Sequence, residues 1–314
     1  MPTPTLVSRG VARLSNAPYV LLTLTALLWA INIVVGRYMV GAMPPITTAC
    51  IRWFMAALIA LPFAWPQLRA EAPLIRRHFW QLVLLSACGI ACYNAMSYYG
   101  LQYTQAINAL LVQSMGPLLV GVWSLVLFRD RLSGGQVTGI LISLAGVLVI
   151  VGRGDPNTLL HLTLNVGDMW ILGALVIYAF YTAILRVRPP LGPLSFLTSI
   201  MFIGGLLLTP LMILELAGGA QLHFNRFTFT VLAYVSTAPS LLAYLAFNRG
   251  VQLVGANRAA PFFHLMPVFG SALAILFLGE RFEWFHGAGY ALVLAGILTA
   301  TRARPAVAEP ADGL

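Results

Sequence analysis

Apolar residues run along this chain in long, nearly unbroken stretches, with charges and turn formers gathered between them. Ten stretches stand out, at about Tyr19–Gly41, Ile46–Trp65, Trp80–Gly100, Gln105–Phe128, Gly134–Gly152, Val166–Arg186, Leu194–Glu215, Phe229–Arg249, Ala256–Leu278 and Phe285–Thr301. Each is close to the roughly 20 apolar residues that a helix needs to cross a hydrocarbon core of about 30 Å. Strict two-residue alternation is absent, so they read as helices and not as barrel strands. The pattern predicts an all-α polytopic membrane protein whose short connectors make sequence neighbours antiparallel hairpins. The first stretch follows Arg9 and Arg13 and has the look of a signal peptide. It runs on too long and shows no small-x-small cleavage site, so it is expected to stay as a first helix. The end of the chain, with Pro305 and Pro310, reads as a disordered tail.

Composition removes water as the main solvent. Hydrophobic residues make up 60% of the 314, charged residues 9%, and the mean hydropathy is +0.87, where a soluble domain carries roughly a quarter charged residues. All 18 basic residues are arginines, against nine acids, for a net charge of +9. In a soluble protein that balance would suggest nucleic acid. Here the arginines map onto connectors. Ten spans put both termini on one side, and only Arg37, Arg52, Arg153, Arg226 and Arg281 fall on the other. The positive-inside rule then places the termini in the cytoplasm. The charge reports orientation, and no nucleic-acid partner is expected. Cys50, Cys88 and Cys92 all lie inside apolar runs, too few for a disulfide framework or a zinc site. Without a lysine there is no phosphate-binding loop of the G-x-x-x-x-G-K-[ST] kind, so neither ATP hydrolysis nor any cofactor is expected.

The chain is also written twice. At a shift of 150 residues, Gly100-Leu101-Gln102 falls on Gly250-Val251-Gln252, Ala106 on Ala256 and Pro117 on Pro267. The hairpin Arg129-Asp130-Arg131-Leu132 falls on Gly279-Glu280-Arg281-Phe282, Gly139 on Gly289, and Leu144-Ala145-Gly146-Val147 on Leu294-Ala295-Gly296-Ile297. Earlier in each half the offset drifts, pairing Trp29-Ala30 with Tyr178-Ala179, Arg37 with Arg186 and Pro62 with Pro210. The predicted organisation is a cytoplasmic segment 1–18, a five-helix repeat 19–152, a periplasmic linker 153–165, a second repeat 166–302 and a cytoplasmic tail 303–314. Five is odd, so the second copy enters the membrane from the opposite side. Inverted repeats of this kind let one unit, in two conformations, produce inward-open and outward-open states. The plainer alternative is a duplication kept only for folding.

Two five-helix repeats, Trp29 in the first helix, the Asp130 and Glu280 hairpins and the mirrored Gly139 and Gly289 segments resemble the EamA-type drug/metabolite transporter superfamily. Within it, the chain is most similar to the aromatic amino-acid exporters of the YddG type. The resemblance spans nearly the whole chain. It implies export of small metabolites across a bacterial inner membrane. Asp130 stands where the family more usually has Glu.

Polar and amphipathic residues deep in the spans are costly and become site candidates. They are Trp29 and Asn32 on one face of the first helix, Tyr93, Asn94 and Tyr98 in the third, Asn108 and Gln113 in the fourth, Tyr178 and Tyr181 in the sixth, Tyr244 and Asn248 in the eighth, and His264 in the ninth. Such a set suits a neutral or zwitterionic solute with an apolar or aromatic body: rings stack, amides hold amino and carboxylate groups, and an ammonium rests on a ring face. Each has a plainer reading as well. Asn and Gln serve as glue between helices, a lone buried His is commonly a satisfied neutral group, and Tyr19, Trp65, Trp80 and Tyr103 belong to the interfacial belt. Arg37 and Arg52 lie a turn or two from the outer surface, where snorkelling to headgroups explains them. The sharper alternative has one of them attract a carboxylate. Pro117 and Pro267 are candidate gating bends or static kinks.

The expected partners are therefore the lipid bilayer and a small-molecule substrate, an amino acid or an amphipathic metabolite; monomer and oligomer are both open. With His264 the one titratable group in the path, facilitated diffusion is expected ahead of proton-coupled efflux. The rival class, a membrane enzyme acting on lipid-linked substrates, lacks the surface acids or nucleophile–base set it needs. Dianionic solutes are disfavoured because the deep spans offer no paired basic groups.

Overall fold

The computed structural model describes residues 15–160, 165–278 and 281–303. Glu280, Arg9, Arg13, Arg304 and most of the tail lie outside the described residues. Among the described residues, ten helices are long and apolar enough to cross a membrane: α1 Pro18–Tyr38, α2 Pro45–Ala70, α3 Phe79–Gly100, α4 Asn108–Phe128, α5 Gly134–Val151, α6 Val166–Val187, α7 Pro193–Ala217, α8 Arg226–Val254, α9 Ala256–Phe277 and α10 Trp284–Arg302. The starts of several are chemically marked. Pro18, Pro45 and Pro193 open α1, α2 and α7, where a missing N–H costs nothing. Ser133 and Gln136 close a capping box on α5, Asn165 and Asp168 another on α6, and Glu283 and His286 a third on α10.

The bundle is organised by repeat mates. Helices α5 and α10 cross at glycines on both sides. A Cβ built on Gly139 would lie 2.4 Å from the Ala300 nitrogen and 2.5 Å from the Gly296 oxygen, and one on Gly296 would lie 2.5 Å from the Gly139 oxygen. Gly146 and Gly289 repeat this relation one crossing further along, each within 3 Å of the other's carbonyl oxygen when given a Cβ. Small residues let the backbones meet, which is how helices associate where no hydrophobic force separates protein from lipid.

Helices α2 and α7 form the second mated pair, and each caps the other. At the end of α7, the Glu215 carboxylate accepts the Thr47 backbone N–H at 2.6 Å, the Thr47 hydroxyl at 2.7 Å and the Ile46 N–H at 3.2 Å. At the end of α2, Glu71 accepts the Gly192 N–H at 3.0 Å and the Ser195 hydroxyl. Two buried helix starts thus receive a carboxylate, which satisfies orphan donors and complements the helix dipole.

The other six helices cross between the halves. Helix α1 packs on α8 and α9, and α6 packs in the same way on α3 and α4. Exchange of the two halves maps one set onto the other, as an inverted repeat requires. All four of α3, α8, α4 and α9 are interrupted. A π-bulge at Ala87–Cys92 in α3 recurs 150 residues later at Thr237–Leu242 in α8. Helix α4 breaks into turn geometry at Ser114–Met115, and α9 tightens to a 3₁₀ turn at Ala260–His264. Pro117 and Pro267 stand just after these breaks, near the first turn of the helical segments Gly116–Phe128 and Leu265–Leu278. There the missing N–H removes little hydrogen bonding.

Candidate solute path

At the end of the bundle that carries the termini, a cavity of about 510 Å³ opens between the α4–α5, α6–α7 and α8–α9 connections. That is room for a small organic molecule. Arg131, Arg186, Arg188 and Arg258 line it with a single acid, Asp130. Asp130 already pairs with Arg186 at 2.6 Å. Both groups are more than half exposed, so this pair contributes little stability. Arg188 lies over the Phe196 ring at 4.8 Å. Burial pulls its pKa below the ordinary arginine value, with the Tyr181 phenol opposing and Arg249 adding to the shift. At the deep end sits Asn248, whose Oδ1 accepts the Tyr181 hydroxyl at 2.9 Å. Its Nδ2 is buried with no hydrogen-bond partner among the described residues.

From Asn248 inward the path is closed by rings. Tyr181 leans on Tyr178 at 5.3 Å between centroids, and Tyr178 on Tyr93 at 4.4 Å. Trp29 sits at the centre of this layer, 5.6 Å from Tyr178 and from Tyr244, and 5.0 Å from Phe247. Two of the rings also stitch the bulges. The Trp29 indole N–H donates to the Pro239 carbonyl at 3.1 Å, and the Tyr244 hydroxyl donates to the Gly89 carbonyl at 2.6 Å. Both acceptors lie inside the π-bulges, where the wider turn leaves a backbone carbonyl free for an outside donor.

Beyond the rings lies a second, much smaller pocket of about 20 Å³, lined by Asn32, Tyr93, Asn94, Tyr98 and Gln113. One water fills such a space. The two cavities lie at either end of the ring layer, one large and one small.

Behind the small pocket the structure corrects one expectation. Arg52 does not snorkel. It is 1% exposed, held by α3 and α8 packing over it. Its Nε donates to Ser240 Oγ at 2.5 Å, and Nη1 donates to Tyr98 Oη at 2.6 Å and Asn94 Oδ1 at 3.2 Å. The guanidinium lies 4.8 Å from the Trp53 ring centre and 5.6 Å from that of Tyr98. Among the described residues the deep spans therefore do hold a cation, though a single buried one. Arg37, by contrast, is exposed and donates to the Leu101 carbonyl at 3.0 Å.

The candidates thus fall into three groups. Asn32, Tyr93, Asn94, Tyr98 and Gln113 meet at the small pocket, and Trp29, Tyr178, Tyr181 and Tyr244 form the ring layer. His264 lines neither cavity. Its Nε2 bonds the Ser114 carbonyl at 2.7 Å and its Nδ1 meets the Ser143 hydroxyl at 2.5 Å. A carbonyl only accepts, so Nε2 carries the proton, and the ring ties α9 to α4 and α5. Sequence reasoning passed over Trp53, Phe247, Phe263 and Ser240. One signal pointed toward their neighbourhood: at the 148-residue offset that pairs Pro62 with Pro210, Arg52 falls on Ile200. A buried charge that breaks a repeat is retained by something other than the repeat.

Ten membrane-crossing helices in two inverted halves, with one cavity on each side of a central layer, define a membrane transporter. The EamA-like transporter family profile matches residues 16–152 and again 165–302, and the chain belongs to that family. Among curated proteins it is 28% identical to the uncharacterized transporter YyaM of Bacillus subtilis (strain 168), over 85% of this chain and 87% of that one. It is 24% identical to a probable amino-acid metabolite efflux pump of Escherichia coli (strain K12), over 90% of this chain and 94% of that one. A solved crystal structure superposes with a TM-score of 0.73 at 18% identity, covering 91% of this chain and 97% of that one. This last likeness speaks for the fold alone.

Proposed function

We propose that this protein exports small organic solutes, amino acids with aromatic or neutral side chains foremost, from the cytoplasm across a bacterial inner membrane. The two repeats rock around the ring layer in alternating access, with both termini cytoplasmic. The observation that carries this reading is the inequality of the two cavities: about 510 Å³ on the termini side and about 20 Å³ on the other. Under the inverted repeat, the opposite state has the large cavity outside. Likeness to an amino-acid metabolite efflux pump supports the solute class. Solute movement follows its own gradient, because both ring nitrogens of His264 are engaged by neighbouring helices and no acid lines the small pocket.

Bacteria expressing the chain are expected to survive toxic aromatic amino-acid analogues. Trp29→Ala should lose that resistance at unchanged protein level. Proteoliposomes loaded with the same solute should release it without a pH gradient. Resistance retained by Trp29→Ala removes the ring layer from the path, and release that strictly requires a pH gradient replaces facilitated diffusion by antiport.

A further inference from the structure

Resting on that transport reading, we propose that Arg52 is the recognition point for a carboxylate. The solutes taken are aromatic or apolar monocarboxylates, and the amino group of an amino acid is dispensable.

Arg52 is buried among helices with no carboxylate partner among the described residues. The one ion pair among the described residues is Arg186 with Asp130, at the far end of the bundle. Its three hydrogen-bond partners, Ser240, Tyr98 and Asn94, are neutral oxygens. A buried cation held by neutral dipoles and ring faces, with no anion, is expensive, and ionisable groups kept inside membrane spans mark solute or ion sites. The positive-inside rule accounts for the arginines of the large cavity, the vestibule of the path; it gives no reason for a guanidinium seven residues along α2 from Pro45.

Two of the partners, Asn94 and Tyr98, are themselves walls of the small pocket. The guanidinium therefore stands one hydrogen bond behind the surface a solute would touch. A carboxylate arriving there accepts from the planar fork in place of Asn94 and Tyr98, a charge-assisted exchange that favours the anion over an amide or phenol oxygen. Tyr93 supplies a ring face and Gln113 an amide beside it. An ammonium finds nothing equivalent. No Asp or Glu lines the small pocket, and the one acid of the vestibule is already on Arg186. One guanidinium, where a phosphate ester would want two, sets the class as monoanions. The vestibule agrees from an independent direction: Arg131, Arg188 and Arg258 carry unneutralised charge there, a field that concentrates anions at its mouth.

The test uses the full purified chain and four probes: phenylalanine, 3-phenylpropionate (carboxylate without amine), phenethylamine (amine without carboxylate) and phenylalaninamide. Binding is read from Tm shift and titration, and movement from proteoliposome efflux. Phenylalanine and 3-phenylpropionate should bind within about tenfold of each other, and the two carboxylate-free probes at least about tenfold more weakly, the factor a hydrogen-bonded charge commonly supplies. Arg52→Gln should remove the preference for carboxylates, and Arg52→Lys should keep part of it. If Arg52→Gln does not fold, the milder Tyr98→Phe and the probe series on the unaltered protein still decide. Phenethylamine binding as well as phenylalanine, or Arg52→Gln binding like the unaltered protein, overturns the assignment while leaving transport intact. Carboxylates that bind but are not moved overturn the transport reading and leave Arg52 as the site. Failure of all four to bind overturns both.

Discussion

Helices α5 and α10 are repeat mates, and so are α3 and α8, yet the two pairs have opposite characters. In the first, four glycines bring the backbones into direct contact, and both helices run without interruption. In the second, each helix carries a π-bulge at the same repeat position, and its freed carbonyl is capped by a side chain from another helix. One duplicated unit has therefore produced a close-packed seam and a bulged pair. The seam has no room to slide, since even a methyl group would strike backbone. The bulged helices hold their odd registry through Trp29 and Tyr244, which also build the ring layer. The ring layer between the cavities and the bulges of α3 and α8 thus share the same two side chains.

The seam should be the most sensitive place in the molecule. Gly296→Ala puts a Cβ 2.4 Å from the Ser143 nitrogen and 2.5 Å from the Gly139 oxygen, and overpacking against backbone costs at least about 1–3 kcal/mol. Gly296→Leu should leave no folded protein on size-exclusion chromatography. Gly134, on the same helix α5, has nothing within 4 Å of a built Cβ, and Gly134→Ala should match the unaltered Tm. Equal Tm values for Gly296→Ala and Gly134→Ala would dissolve the contrast between the two pairs.

The bulges should respond more mildly and to chemistry, not volume. Tyr244→Phe keeps the ring but strands the Gly89 carbonyl, a loss of about 1–3 kcal/mol for a buried group left unpaired. Trp29→Phe does the same to Pro239. If bulge and path are coupled, both variants should slow efflux by a larger factor than the removal of a remote hydrogen bond of equal Tm cost, such as Thr301 to the Ile297 carbonyl on α10. Equal slowing would reduce the bulges to packing defects.

A smaller, symmetrical effect is expected where α2 and α7 cap each other. Glu71→Ala and Glu215→Ala each remove a carboxylate from a helix start, for about 0.5–2 kcal/mol apiece. The two sites sit at opposite ends of one helix pair, so their Tm losses should add.

How much of this was legible beforehand depended on the range of the interaction that fixes it. The ten spans and their inversion were readable because a span is local and the repeat is a translation of the chain. Pro117 and Pro267 fall in the first turn after the breaks of α4 and α9. The bulge at Ala87–Cys92 was not readable: it contains no proline, unlike Thr237–Leu242 with Pro239, and the donor to its Gly89 carbonyl, Tyr244, arrives from another helix. Arg52 was misread for a related reason. Its distance from the helix end is short enough for snorkelling, and only the packing of α3 and α8 over α2 decides against it. In the sequence Glu215 stands at the end of an apolar stretch and Glu71 in a connector, but which helix each would cap is a tertiary fact.

The least effect on stability, and a distinct effect on entry, is expected at Asp130. Its pair with Arg186 is exposed and contributes less than about 1 kcal/mol, so Asp130→Asn should leave Tm nearly unchanged. The same change removes the only acid from the vestibule and releases Arg186. If the vestibule draws carboxylates toward Arg52, low-salt efflux of 3-phenylpropionate should rise in Asp130→Asn. That gain should fade as ionic strength shortens the Debye length toward about 8 Å and below. Phenethylamine should show no such gain, because added positive charge repels it. A rise that persists at high salt would place the effect of Asp130 in the geometry of the α4–α5 connection, and the rigid end of the bundle would then take part in gating alongside α3 and α8.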